Sequence, residues 1–398
     1  MITPDRVRNL ARELHPEAIR VRRHLHMYPE LSFEERETAR FVASELTSAG
    51  IDFREGIAGN GILATVSGDR GGPVLALRAD MDALPITEEN EGEYRSQNPG
   101  AMHACGHDGH TASLLTTARM LAALGDELPG TVKLIFQPAE ERAPGGAHAM
   151  IEAGVLEEPS VDVVFGQHVN PELPAGMVGF NPGLFMASAD DVYITVHGKG
   201  GHAAKPHRDV DPIVIASSLV VALQQIVSRN ADPIVPSVLS FGRFIGDGAA
   251  NVIPDTVELA GTFRTMDDGW RDEALARIER TARALVEALG GRADVSIVRG
   301  YPAVVNEPEL TLRARDRAVE YLGDEQVVDL PPAMWGEDFS YYGRDRPACF
   351  YNLGVRNEQA GIVNAVHTPR FDLDEDALRT GSGLMAWITI AELEHRRG

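Results

Sequence analysis

The apolar and polar positions divide the chain into alternating helical and extended stretches. Residues 5–24 and 34–50 carry apolar side chains at helical spacing and predict two amphipathic helices. The connection His26-Met27-Tyr28-Pro29-Glu30-Leu31-Ser32 joins them. Four short apolar runs rich in β-formers follow: Val74 to Ala79, Val132 to Phe136, Val161 to Phe165 and Ala348 to Leu353. Turn or helix signals separate them, which predicts a mainly parallel sheet covered by helices. Residues from about Thr111 to Leu124 predict a covering helix, with Leu114, Leu115, Ala118 and Ala122 on one face.

The pattern changes between Ala187 and Gly300. Asp191 to His197 alternates as a half-buried strand, and Val210 to Arg229 predicts a long apolar helix. Ser237 to Phe244 and Thr256 to Arg264 predict two more alternating strands. Asp272 to Leu289 is an amphipathic helix stopped by Gly290-Gly291, and Ala293 to Val298 is a last strand. The order β-α-β-β-α-β is that of a ferredoxin-like split unit. The chain therefore reads as an α/β protein whose larger domain, 1–186 and 301–398, is interrupted by a smaller one at 187–300. A length of 398 residues agrees with two cores.

Composition narrows the function classes. A formal net charge of −22 disfavours nucleic acid or an anionic membrane as partner, because both need clustered Lys and Arg. No apolar run approaches the roughly 20 residues of a membrane helix. Met1-Ile2-Thr3-Pro4-Asp5-Arg6 has neither a basic nor an apolar leader segment. The two cysteines, Cys105 and Cys349, make no disulfide framework. The expected location is the cytoplasm.

Chemistry concentrates in His103-Ala104-Cys105-Gly106-His107-Asp108-Gly109-His110. A thiolate and an imidazole two residues apart suit a borderline-soft cation such as zinc. Further donors stand at the ends of predicted strands: Asp80-Met81-Asp82, Gln137-Pro138-Ala139-Glu140-Glu141 and Gly166-Gln167-His168. Open α/β sheets bind ligands at that edge. His367 follows the last predicted sheet strand. Cys105, His107, Glu141, His168 and His367 make five candidate ligands, one more than a structural zinc takes and suited to two metals sharing a bridge. Of adjacent carboxylates, one can bind metal while the other faces the substrate as a base.

Taken singly, each residue has a bland reading. Glu-Glu is a solvated pair, His168 a core histidine, Cys105 a small buried hydrophobe. His103 and His110 read as residues supporting the helix start. Convergence on one sheet edge favours the functional reading. In the insert, Gly198-Lys199-Gly200-Gly201-His202 lacks the spacing of a phosphate loop, so the glycines serve to present His202. Asn251 in a loop and Arg264 at a strand end could clamp a carboxylate together with it.

Several segments occur in order: Arg23-His24-Leu25-His26, Arg78-Ala79-Asp80-Met81-Asp82-Ala83-Leu84-Pro85, His103 to His110, Gln137 to Glu141, Gly198 to His202, Trp335-Gly336-Glu337-Asp338-Phe339 and His367-Thr368-Pro369. Together they closely resemble the amidohydrolase branch of the dinuclear metallopeptidase and aminoacylase family. That branch includes hippurate hydrolases, N-acyl-amino-acid amidohydrolases and auxin-conjugate hydrolases. The resemblance implies a zinc-peptidase-like catalytic domain with an inserted lid or dimerisation domain, and two divalent ions per subunit (zinc, manganese or cobalt). Cys105, His107, Glu141, His168 and His367 would be the ligands, Glu140 the general base, and Asp80 a residue orienting a ligand. His202 would reach the substrate, and Asn251 and Arg264 would hold its carboxylate. A homodimer or homotetramer through the insert is implied too. Peptidase branches carry His where this chain has Arg78, and their bridging Asp is replaced by the Cys105-Gly106-His107 arrangement. The implied reaction is hydrolysis of N-acyl amino acids. The rivals are a dipeptidase or carboxypeptidase of the same superfamily and a non-catalytic metal-binding protein, which would have no need of Glu140.

Overall fold

The computed structural model describes residues 2–68 and 71–398. The chain divides into two compact units. The first comprises the residues up to Phe185, Val305–Pro331 and Asp338–Gly398; the second comprises Met186–Val304 and Pro332–Glu337.

The first unit is built on an eight-stranded sheet. Its strands lie in the order Asp52–Ile57, Gly61–Ser67, Thr131–Gln137, Val74–Asp80, Val163–Pro174, Ala348–Arg356, Val178–Phe180 and Val327–Asp329. The four central strands pair in parallel. Val74–Asp80 and Thr131–Gln137 are buried at every position, as strands covered on both faces must be. That burial explains their continuous Val, Leu, Ile and Phe content. Lys133 interrupts the second of these runs, and its ammonium donates to the carbonyls of Val155 (3.1 Å) and Glu157 (2.6 Å). Helices Pro4–Met27, His107–Leu124 and Asp376–Arg397 pack against one another over the sheet.

Two of the boundaries that differ from the sequence expectation bear on function. The strand expected over Val161 to Phe165 runs from Val163 to Pro174, so His168 lies inside a strand, opposite Asn352, and not after one. Its polar and proline-containing second half reads as loop, but the neighbouring strand Ala348–Arg356 supplies the backbone partners that keep it extended. The helix expected from Thr111 begins at His107, so His107 and His110 both stand in its first turn.

In the second unit, four strands lie in the order Ser237–Ile245, Thr256–Thr265, Ser188–His197 and Arg292–Arg299, all antiparallel. Helices Pro212–Gln225 and Asp268–Ala288 complete the β-α-β-β-α-β order. Val192, Ile194, Val196, Val257 and Leu259 alternate inward and meet Ile215, Leu219, Leu223 and Ile278 in a core of its own. Pro212–Asn230, including a π-helical last turn, is long and apolar enough by composition to cross a membrane, which the sequence expectation did not foresee. Here its Ile215, Ala216, Leu219 and Leu223 stripe is buried in that core. The buried Arg271 guanidinium meets both carboxylate oxygens of Asp190 at 2.7 and 2.8 Å. Asp190→Ala, which strips this carboxylate from a buried guanidinium, should destabilise the protein by about 3 kcal/mol in denaturant titration. A midpoint unchanged from wild type would show that the pair adds nothing.

Candidate metal centre and active site

The site grows from two strand ends, the middle of a third strand, one helix start and one loop of the first unit. Gly106 connects Cys105 to the helix that begins at His107. It has φ +83° and lies where a Cβ would come within 2.5 Å of a Val169 methyl, so glycine is required. Two other positions near the site, Ala139 (φ +55°) and His367 (φ +62°), hold left-handed backbone without being glycine. Such strain persists only where the surroundings enforce it.

The five expected ligands come together. His168 Nε2 lies 3.4 Å and His367 Nε2 3.3 Å from the Cys105 sulfur. His367 Nε2 is 3.2 Å and His107 Nε2 3.8 Å from Glu141 Oε1. Donor atoms of Cys105, His107 and His168 all lie within 4.8 Å of one another, as do those of Cys105, Glu141 and His367. Cys105 is common to both groups. Glu140 forms a third such group with His107 and Glu141, and it is buried.

The donor set fits divalent cations. His107 donates from Nδ1 to the Asp82 carbonyl (2.9 Å), and His168 donates from Nδ1 to the Val169 carbonyl (2.7 Å). These backbone bonds turn each Nε2 toward the cluster; the His168 ring is neutral there, and His107 would present its lone pair on giving up a proton when metal binds. His107 Nε2 and Glu141 Oε1 are buried without a hydrogen-bond partner. Buried polar atoms without a hydrogen bond are costly, and a cation between these two would satisfy both. Burial, together with Glu141 and Glu140, pushes the Cys105 thiol well above its ordinary range. Burial opposes the charge on His107, but Asp80, Asp82 and Glu141 outweigh it and raise the ring to about 10. Both shifts are those of a concentrated negative site that a metal would neutralise.

His110 and His103 behave differently. His110 donates from Nδ1 to Asp80 (2.6 Å) and accepts the Val169 N–H at Nε2 (2.9 Å), so neither nitrogen is left for a cation. Burial lowers its pKa to about 4. His103 is buried, with neither ring nitrogen hydrogen-bonded, and burial lowers it to about 4 as well. Asp80 lies 3.8 Å from His107 Nδ1, so its direct hold is on His110 and on Arg78 (2.6 Å). Burial opposes its ionisation, but His107, Arg78 and His110 hold its carboxyl well below the usual range.

Several supporting residues escaped sequence reasoning. The Arg78 guanidinium is wholly buried and donates to Asp80, to Asp338 (2.6 Å) and to Gln137 (2.9 Å). Asp338 also accepts from Gln137 and from the Ala147 N–H (3.0 Å). Three sequence segments thus meet at one guanidinium. Arg22 and His26 of the first helix hold Asp108, the acid in the first turn of the His107 helix, at 2.7 and 2.8 Å. His26 also meets Glu88 at 3.1 Å. A signal was present in the Arg23-His24-Leu25-His26 and Trp335 to Phe339 segments, but nothing local shows which residues they meet.

The remaining expected residues belong to the second unit. His202 lies on a two-residue strand paired with Val252–Ile253 and is exposed, next to exposed Asn251. The Ala204 N–H donates to His202 Nδ1 (3.2 Å), which places the ring proton on Nε2. Arg264 is half-buried, with one nitrogen 3.5 Å from the Met334 carbonyl, and burial lowers its pKa.

A family model for peptidase family M20/M25/M40 matches residues 76–389. The chain is 42% identical over 365 residues to the N-acetyl-L-cysteine deacetylase of Bacillus subtilis, covering 92% of this chain and 85% of that protein. It is 38% identical over 390 residues to thermostable carboxypeptidase 1 of Saccharolobus solfataricus, covering 97% and 98%. The crystal structure of the Bacillus subtilis YXEP protein, described as a dinuclear metal-binding peptidase of the M20 family, superposes with a TM-score of 0.81. It is 36% identical, with 96% of this chain and 99% of that one covered. The chain belongs to the M20/M25/M40 peptidase family and is a metal-dependent hydrolase.

Proposed function

We propose that the protein hydrolyses the amide bond of N-acyl amino acids, hippurate-like or N-acetyl, to a carboxylic acid and a free amino acid. The observation that carries this reading is Glu140, a buried carboxylate grouped with His107 and Glu141 inside one metal-ligand cluster. A binding protein would need the ligands but not the base. Two divalent ions, held by Cys105, His107, Glu141, His168 and His367, would lower the pKa of water and polarise the acyl carbonyl. Glu140 takes the proton from the attacking water and delivers it to the leaving amine as the C–N bond breaks. Asp80 fixes His110, beside the ligands, by its 2.6 Å hydrogen bond. His202, through its Nε2–H, stabilises the oxyanion, and Asn251 and Arg264 hold the free carboxylate of the amino acid. Softness of the donor set favours zinc, with manganese and cobalt as the other candidates.

The deacetylase relative supports an acyl-amino acid substrate, and the carboxypeptidase relative keeps a peptide-cleaving reading as the alternative. The free, buried cysteines Cys105 and Cys349 support a cytoplasmic setting, and the net charge supports a small-molecule partner over nucleic acid or membrane. The strand Ser237–Ile245 is a sheet edge that exposes Val238, Phe244 and Ile245, which supports a homodimer or homotetramer formed through the inserted unit.

The test is amino acid release from a panel of N-acetyl and N-benzoyl amino acids and free-amine dipeptides. The chelated enzyme is reloaded with zinc, manganese or cobalt. Metal-restored cleavage of the acyl-amino acids is expected. Cleavage confined to the dipeptides would sink the proposal and favour the peptidase alternative.

A further inference from the structure

Arg22 is a wholly buried guanidinium of the first helix, and the proposed reaction does not use it. Its donors reach two segments that each carry a proposed ligand. Nε donates to Asp108 Oδ2 at 2.7 Å, and Asp108 directly follows His107. Nη2 donates to Asp372 Oδ1 at 2.6 Å, in the loop that begins at His367. Nη1 lies 3.5 Å from Glu375 Oε1. The two segments also pack closely, for a Cβ on Gly109 would stand 2.7 Å from a Leu373 methyl. They are not anchored alike. The helix start is fixed independently by His107 on the Asp82 carbonyl, by His110 on Asp80 and by the Thr111 hydroxyl on the Asp80 carbonyl. The His367 loop has no regular structure, and the His367 side chain is 52% exposed. Backbone bonds to Ala104 and Glu89 hold its near end. At its far end the Asn90 amide donates to the Phe371 carbonyl (2.9 Å), and the Tyr94 hydroxyl donates to Asp372 (2.7 Å).

We propose that Arg22 is a positioning residue: its guanidinium clasps Asp108 and Asp372 and so holds the His367 loop against the His107 helix, where two metal-binding groups share Cys105. The ligand roles of His107 and His367 rest on the function proposed above; the clasp itself does not. His26 also meets Asp108, at 2.8 Å, but its other nitrogen is taken by Glu88 (3.1 Å), so the bridge to Asp372 falls to Arg22. Asp108 is fully buried and the Asp372 side chain is 19% exposed, so solvent screens the two carboxylates poorly. Without the guanidinium they face each other as like charges with no cation between them. The less anchored side yields, and that side is the His367 loop. The group of Cys105, Glu141 and His367 therefore loses its shape before the group of Cys105, His107 and His168.

The experiment titrates the metal-free, full-length protein with cobalt against a competing chelator, in wild type and in Arg22→Met. Methionine fills much of the arginine stem's space and removes its charge. One cobalt equivalent should bind about 10- to 100-fold more weakly in the variant, and the other should stay within about threefold of wild type. Adding Asp372→Asn to Arg22→Met removes the repulsion and should bring the weakened equivalent back to within about threefold of wild type. A merely structural role would lower the unfolding midpoint and leave both equivalents binding as in wild type; that result overturns the proposal. Equal weakening of both equivalents, or no recovery in the double variant, overturns it as well. Should wild type bind cobalt but release no amino acid from any substrate, the functional reading fails while the titration still decides the role of Arg22. Should Arg22→Met not fold, Asp372→Ala decides, because it opens the clasp from the loop side and leaves Arg22 paired with Asp108. It should weaken the same single equivalent about tenfold, and wild-type affinity for both equivalents overturns the proposal.

Discussion

Glu140→Gln should lower kcat by about three orders of magnitude, a loss of roughly 4 kcal/mol of transition-state stabilisation. The variant should keep its metal. Glutamine has the size of glutamate, so the buried space at position 140 stays filled, and the backbone N–H that donates to Asp82 is untouched. The five grouped donors on Cys105, His107, Glu141, His168 and His367 also remain. What disappears is the ability to take a proton from water and return it to the amine. Steady-state kinetics alongside metal analysis of the same preparation checks both halves. A variant that keeps wild-type turnover would remove Glu140 from the mechanism. A variant that loses metal and turnover together would make Glu140 a ligand, and the division of labour between the two glutamates would have to be redrawn.

Removal of metal should abolish turnover, and metal uptake should become steeply weaker as pH falls. The sign follows from the two perturbed donors. Burial and the carboxylates of Glu141 and Glu140 keep the Cys105 thiol protonated through the neutral range in the metal-free protein. His107, against the effect of burial, is held protonated up to about pH 10 by Asp80, Asp82 and Glu141. Both groups must give up a proton before they can ligate, so uptake releases about two protons at neutral pH. Lower pH opposes that release. Calorimetric titration in buffers of different ionisation enthalpy counts the protons, and chelator competition at several pH values gives the slope. An affinity that does not change between pH 6 and 8 would contradict the assignment of Cys105 and His107 as ligands.

His168 works in the other direction and limits the acid range. Burial lowers its pKa to about 4, so it is neutral and ready to ligate near neutrality. His103 and His110 are likewise kept neutral by burial. A histidine whose folded pKa lies below its unfolded one contributes stability above the unfolded value of about 6.5. That contribution is lost as pH falls from there towards about 4. The metal-free protein therefore meets acid with three buried rings that resist protonation, which adds to the loss of metal on the same side of neutrality.

How far local pattern reached can be judged from particular elements. Val74–Asp80 and Thr131–Gln137 are fully buried strands, and a mostly apolar run without alternation is what such strands require. The alternation of Ser188–His197 follows from a sheet with one face packed on a core. These readings depend only on neighbours a few positions apart. The second half of Val163–Pro174 could not be read that way, because its extended state depends on Ala348–Arg356, far along the chain. The helix start at His107 was hidden for a related reason. Its first turn is occupied by polar residues whose partners come from elsewhere: Arg22 and His26 for Asp108, Asp80 for His110.

The same division runs through the site. The residue types and their order determined the chemistry on offer: a thiol, three imidazoles and two adjacent carboxylates suited to divalent cations and proton transfer. The tertiary structure decided which atoms meet. Strand register and the left-handed turn at Gly106 bring Cys105, His107 and His168 together. The loop at His367 adds a donor 262 positions from Cys105. Asp82 stood in the sequence as one donor of the Asp80-Met81-Asp82 segment, but only the fold shows that it accepts the backbone N–H groups of both glutamates. Composition and spacing specify which groups a chain carries, because those are properties of the residues themselves. Direction, tautomer and ionisation are set by contacts between segments distant in sequence, and folding alone brings those into being.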